Sequence, residues 1–131
     1  MDNLLKAFLR SDHAGEVGAV YIYKGILKIA KDPELVNFSK RHLVTEESHL
    51  QKIEGVLPKK DRSKLVWLWK IAGFLLGFLP TLFGPKIVFA TIEAVEAFVE
   101  EHYEEQLKYL RAQPNPNQEL INLLQLSLIH I

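Results

Sequence analysis

The sequence predicts an all-α helical bundle, on three observations. Apolar residues recur at steps of three and four through several long segments. Turn chemistry concentrates between those segments, at Lys31-Asp32-Pro33, Leu57-Pro58, Gly84-Pro85 and Gln113-Pro114-Asn115-Pro116-Asn117. Glutamates and a Glu-x-x-His pair fall on the apolar stripes themselves, as they do where bundle interiors hold metals. With 131 residues there is material for one small domain around one core. A hydrophobic share of 48% against 24% charged residues argues for a globular chain and against disorder.

Taken in order, Met1 to Arg10 reads as a short amphipathic helix or lead-in, with Leu4, Leu5, Phe8 and Leu9 on one side. Ser11 and Asp12 are natural N-caps, because a short side-chain oxygen can accept from the open N–H groups of a first turn. The helix they would cap runs from His13 to Lys31. Its stripe is Glu16, Val20, Tyr23, Leu27 and Ala30, which sets Glu16 on the buried face. Asp32 then caps a second helix, with Pro33 at the first helical position, where a missing N–H is harmless. That helix runs to about Glu54 and stops at Gly55. Its inner stripe is Leu35, Phe38, His42, Glu46, His49 and Ile53.

Leu57 to Ser63 is a polar connector around Pro58, and Leu65 to Phe83 is the most apolar part of the chain. Its length approaches the roughly 20 residues that cross a bilayer. Lys70 interrupts it, Pro80 would break it near its end, and two glycines weaken it, so a span is the least favoured reading. The others are a buried core helix and an interfacial helix with Trp67 and Trp69 at headgroup level. Gly84-Pro85 opens a further helix to about Ala112, with the stripe Val88, Ile92, Glu96, Val99, Tyr103 and Leu107. A last helix starts near Gln118. A weak internal repeat is visible: a helix with one inward Glu, then a helix with Glu-x-x-His, then a fresh start at Glu96.

Charge and composition narrow the chemistry. Sixteen basic and sixteen acidic residues cancel, so no nucleic-acid partner is expected. There is no cysteine, which excludes disulfides, thiolate zinc sites and iron–sulfur clusters, and leaves oxygen and imidazole as metal donors. Met1-Asp2-Asn3 leads into an amphipathic segment, so no secretory signal is expected there. Inward glutamates repel one another or take up protons unless cations neutralise them. Ferritin-like bundles do this with a dinuclear site built from two Glu-x-x-His pairs and a lone Glu from each of two other helices. This chain has one pair, Glu46 and His49, and two lone candidates, Glu16 and Glu96. Oxygen and imidazole donors suit iron and manganese. Plainer explanations stand beside each residue. Glu-x-x-His arises by chance on helix surfaces, Glu16 could be a first-turn acid favoured by the helix dipole, and Glu96 could pair with a lysine. His42, one turn before Glu46, reads as a packing or supporting residue and not a ligand.

Four blocks together resemble one family: Ser-Asp-His-Ala-Gly-Glu at 11–16, Glu-Glu-Ser-His at 46–49, Trp-Lys-Ile-Ala-Gly-Phe-Leu-Leu-Gly at 69–77, and Ala-Val-Glu at 94–96 followed by His102-Tyr103. It is the demethoxyubiquinone hydroxylase family of ubiquinone biosynthesis, and the resemblance covers roughly residues 9 to 125. It implies a ferritin-like, carboxylate-bridged di-iron monooxygenase at a membrane surface. The substrate class is a polyprenylated methoxy-methylbenzoquinone or its quinol, oxygen comes from dioxygen, and NADH is the electron source. Carried over by motif, the metal residues are Glu16, Glu46, His49 and Glu96. The catalytic candidates are His102 and Tyr103, matching a His-Tyr pair proposed for electron or proton transfer. Residues 65–83 match the segment that meets the membrane and admits the isoprenoid tail. Ubiquinone-synthesis proteins are the partners implied. The implied location is the cytoplasmic face of a bacterial cell membrane, or the mitochondrial inner membrane in a eukaryote.

The chain departs from the family pattern at its end. The family's second Glu-x-x-His lies farther along the helix that begins near Gln118, Glu119 comes too early, and His130 has Ser127 before it where the pattern needs Glu. The last six residues, Leu126 to Ile131, equal the in-frame translation of a common transposase mosaic-end adapter. The expectation is an incomplete ferritin-like domain over 1–125, an extra apolar membrane-surface helix, an incomplete last bundle helix and a non-native tail at 126–131. Such a chain lacks a complete site and is expected to be inactive as it stands. The rival expectations are another ferritin-like di-iron protein, such as a rubrerythrin-like peroxidase or a ferroxidase, and a membrane-associated helical protein whose acids are structural.

Overall fold

A computed structural model describes residues 3–129. The fold is all-α: α1 (Asn3–Ile29), α2 (Pro33–Val56), a short 3-10 turn (Lys59–Asp61), α3 (Val66–Thr81), α4 (Pro85–Arg111) and α5 (Gln118–Ile129). The chain divides into two compact units, Met1–Thr91 and Ile92–Ile131. Met1 and Asp2 of the lead-in, and His130 and Ile131 of the expected tail, lie outside the described residues.

In the first unit, the lead-in and the first long helix are one element. Ser11 and Asp12 are interior to α1 and cap nothing, a correction with a clear cause. No Gly or Pro interrupts residues 3–14, and the buried row begins at Leu9 and continues through Asp12, His13 and Glu16 without a break. The expected row Glu16, Val20 and Tyr23 is buried, but so is a second row, Val17, Ile22 and Ile26, because two helices pack on α1. The start of α2 is as expected: the Asp32 carboxylate accepts from the Leu35 N–H at 3.0 Å, and Pro33 follows it. α2 runs antiparallel to α1, as the meeting of Tyr23 with His42 and of His13 with Glu54 shows. The connector is less polar than its composition suggests, since Leu57 is fully buried.

α3 runs parallel to α1 at backbone contact. A Cβ on Gly73 would collide with the Gly18 carbonyl oxygen, one on Gly77 with that of Ile22, and one on Gly25 with that of Phe74. The two glycines of α3 are therefore its docking points, and they are also its only buried residues. Trp67, Leu68, Trp69, Ile71, Leu75, Leu76 and Leu79 are exposed, so α3 is not a buried core helix. Pro80 is accommodated inside the last turn, where Thr81 Oγ1 donates to the Gly77 carbonyl at 2.7 Å. None of the described helices is long and apolar enough to cross a membrane. Gly84, with φ of 106°, turns the chain into α4 in a conformation that favours glycine.

The second unit holds the rest of α4 and α5. Asn117 Oδ1 accepts from the Leu120 N–H at 3.1 Å and starts α5. Ile92, Tyr103, Leu107 and Leu110 of α4 and Leu120, Ile121 and Leu124 of α5 are its buried apolar residues among those described. α5 continues through Leu126 with Ser127 buried and runs to Ile129.

Candidate metal centre

The antiparallel pairing of α1 and α2 brings three of the sequence-predicted donors together. Glu16 projects from α1, and Glu46 and His49 project from α2, one helical turn apart on the same side. One donor atom from each lies within 4.8 Å of the other two. Glu16 is 4% exposed and His49 3%, so both are held away from water, while Glu46 is half-buried.

The charges in this cluster are not independent. Burial pushes the Glu46 carboxyl up. A hydrogen bond with Glu16, a hydrogen bond with His49, and the charges of His49 and His42 pull it down, and the net position is below the ordinary 4.5. His49 Nδ1 stands 3.7 Å from Glu46 Oε2, a loose contact along one helix. One turn away, His42 stacks on Phe38 at 4.0 Å between ring centroids and on Tyr23 at 5.7 Å. This places His42 in an aromatic layer beside the donors, in keeping with a supporting role.

The donors fit a first-row metal ion. Two carboxylates and an imidazole converge on one point, an oxygen and nitrogen set suited to iron or manganese. A cation there would neutralise the acid pair Glu16 and Glu46, which meet in a side-chain hydrogen bond.

The other predicted residues belong to the second unit. Glu96 and His102 are half-buried on α4, and Tyr103 is 3% exposed. His102 Nε2 lies 3.0 Å from Gln106 Nε2, and its ring is parallel to that of Phe98, with 6.4 Å between centroids. The His102 and Tyr103 rings are 6.3 Å apart and tilted by 37°.

Sequence reasoning missed five buried polar residues among those described: Asp12, His13, Ser39, Gln106 and Ser127. His13 matters most here, because it lies one turn before Glu16 and its Nε2 meets Glu54 Oε2 at 3.0 Å. The signal was present. Extending the Glu16 stripe backwards by one turn reaches Asp12 and His13, but reading those positions as a helix start hid it.

Comparison with known proteins now bears on these residues. Residues 3–127 match the family described as ubiquinone biosynthesis protein COQ7. The chain is 38% identical over 106 residues to the 3-demethoxyubiquinol 3-hydroxylase of Rhodospirillum rubrum, covering 79% of this chain and 50% of that protein. It is 32% identical over 124 residues to the mitochondrial NADPH-dependent 3-demethoxyubiquinone 3-hydroxylase of Caenorhabditis elegans, covering 92% and 66% respectively. It is 36% identical over 116 residues to the mitochondrial 5-demethoxyubiquinone hydroxylase of Saccharomyces cerevisiae, covering 85% and 49%. The chain thus spans between about half and two thirds of the length of these relatives. The motifs of the sequence and the matched residues agree, and the chain belongs to the ubiquinone biosynthesis protein COQ7 family.

Proposed function

We propose that this chain is part of a di-iron monooxygenase that hydroxylates the ring of demethoxyubiquinone or its quinol. The observation that carries the reading is the convergence of Glu16 from α1 with Glu46 and His49 from α2, their donor atoms within 4.8 Å of one another. The substrate class follows from the relatives, which are named for hydroxylation of demethoxyubiquinone or demethoxyubiquinol. An iron pair, when bound, would supply reductive activation of dioxygen, one oxygen atom entering the ring and the other leaving as water, for two electrons and two protons. Glu16, Glu46 and His49 hold the metal, with Glu46 kept ionised by its neighbours. Glu96 is the lone carboxylate of the second half, and His102 and Tyr103 are the candidates for moving an electron or proton. By the family resemblance the second Glu-x-x-His lies farther along the helix that begins near Gln118, so residues 1–125 are read as an incomplete site, and 126–131, which match an adapter translation, as a non-native tail.

The exposed face of α3 supports a membrane-surface role. Trp67 and Trp69 sit among exposed leucines on a helix too short to span. Such a face fits the boundary between headgroups and acyl chains, where a polyprenyl tail must be taken up. The reductant is a reduced nicotinamide. The resemblance implies NADH, and the name of the worm relative favours NADPH. Mitochondrial relatives support the inner mitochondrial membrane for a eukaryotic source, and the cytoplasmic face of the cell membrane is the bacterial counterpart.

The test is complementation. The complete native gene that contains this sequence, expressed in a strain lacking its demethoxyubiquinone hydroxylase, is expected to convert accumulated demethoxyubiquinone, followed by mass spectrometry. The Glu16→Ala version is expected not to. Conversion that survives Glu16→Ala, or no conversion by either gene, would sink the reading.

A further inference from the structure

The interface that presents the metal donors also contains a second polar cluster. His13 on α1 is 2% exposed, and its Nε2 lies 3.0 Å from Glu54 Oε2 on α2. A carboxylate can only accept, so in this pair Nε2 carries the hydrogen and donates. The same Glu54 oxygen lies 3.5 Å from Arg62 Nη1. Arg62 is itself fixed: its Nη2 donates to the Glu54 carbonyl at 3.3 Å and its Nε to the Leu57 carbonyl at 3.3 Å. One turn before His13, Arg10 Nε donates to the Asp61 carbonyl at 2.8 Å.

We propose that His13 is a positioning residue for the Glu16, Glu46 and His49 donors, acting through Glu54, with Arg62 holding the Glu54 carboxylate in place. The proposal rests on reading those three as metal donors. His13 shares α1 with Glu16, and Glu54 shares α2 with Glu46 and His49. A slip of one turn between the two helices would carry Glu16 about 5.4 Å from its partners. The hydrogen bond between Glu16 and Glu46 crosses the same interface and breaks with that slip. The His13–Glu54 bond is attractive, lies at the same interface, and is lost by the same slip. A lone exposed ion pair would do little, and Glu54 is 36% exposed. The bonds from Arg62 to two backbone carbonyls change that, since they fix the carboxylate against the end of α2 and the connector.

The test is a Co2+ titration of the 131-residue chain, read by visible absorption, with far-UV circular dichroism and urea unfolding of the metal-free protein alongside. His13→Leu is expected to keep the helix content and to weaken Co2+ binding by about 10- to 100-fold, the usual effect of losing a group that orients ligands. His13→Gln, which keeps an N–H donor, is expected to recover most of the affinity. Arg62→Gln, at a partly exposed position, is expected to fall between. In metal-free protein, the His13→Leu/Glu54→Leu double variant is expected to unfold at the same urea concentration as either single variant, since the two residues act as one unit. Co2+ affinity unchanged by His13→Leu, or additive urea shifts in the double variant, would overturn the proposal. A parent chain that shows the non-additive urea shifts but binds no Co2+ would overturn the donor reading and, with it, the positioning role, while leaving His13 a structural clamp.

Discussion

α1 has two interfaces built on opposite rules. Toward α3 it packs backbone on backbone, through Gly18, Gly25, Gly73 and Gly77. Toward α2 it packs through long polar and aromatic side chains: His13 on Glu54, Glu16 against Glu46 and His49, and Tyr23 on His42. The close interface leaves no room for side chains between the helices. The side chains of α3 are displaced outward as a result, and its apolar face is left uncovered. The α1–α2 interface is built from side chains, and its three donor atoms lie within 4.8 Å of one another. One helix thus anchors both the surface-facing element and the donors, and a glycine or a long polar residue at each position decides which.

The largest expected effect comes from breaking the close interface. Gly77→Val places carbon where the Ile22 carbonyl oxygen stands, and α3 must move. A loss of about 3 kcal/mol in urea unfolding is expected, as for overpacking in general. Gly55→Ala is the control that sharpens the contrast. Beyond its chain neighbours and its own helix backbone, no atom lies within 4 Å of the added carbon, and the change is expected to stabilise the protein by about 0.5 kcal/mol through helix propensity. A similar loss at both positions would contradict the packing argument.

The α1–α2 interface is broken by removing a donor. Glu16→Ala is expected to weaken Mn2+ or Fe2+ binding at least about tenfold, measured by anaerobic titration, since each donor is a large part of a three-donor set. It should leave α3 docking intact. The 131-residue chain is expected to bind metal weakly or at one equivalent, and two equivalents of tightly held iron would refute the incomplete-site reading. A smaller effect is expected on the face of α3. Trp67→Ser/Leu75→Ser should lower co-sedimentation with phospholipid vesicles several-fold, and metal affinity should not change.

The smallest effect is in the pH dependence of metal-free protein. The folded pKa of Glu46 lies below its ordinary 4.5, so its contribution to stability is full above that value. It is lost as pH falls through the lower folded value. Glu46→Gln removes this acid-limb dependence, and urea midpoints compared between about pH 6 and pH 3 are expected to show a shallower decline for the variant.

The sequence by itself determined the helices, most of their ends and the inward-facing stripes that carry Glu16, Glu46 and His49. Periodicity and local capping are short-range physics, so Asp32-Pro33, Gly84-Pro85 and the stripe holding Glu46 and His49 could be read directly. The same local logic misled at Ser11 and Asp12, where cap-forming residues lie inside a continuous helix because their neighbours are buried by α2 and α3. Only the tertiary structure decided which face of α1 meets which helix. The glycines of α3 look like weak points in one dimension and are contact points in three. His13 and Glu54 lie far apart in sequence, and nothing local marks them as partners. A helical stripe records that a residue turns inward. What it meets there is set by the antiparallel or parallel register of another element, which no single stripe contains.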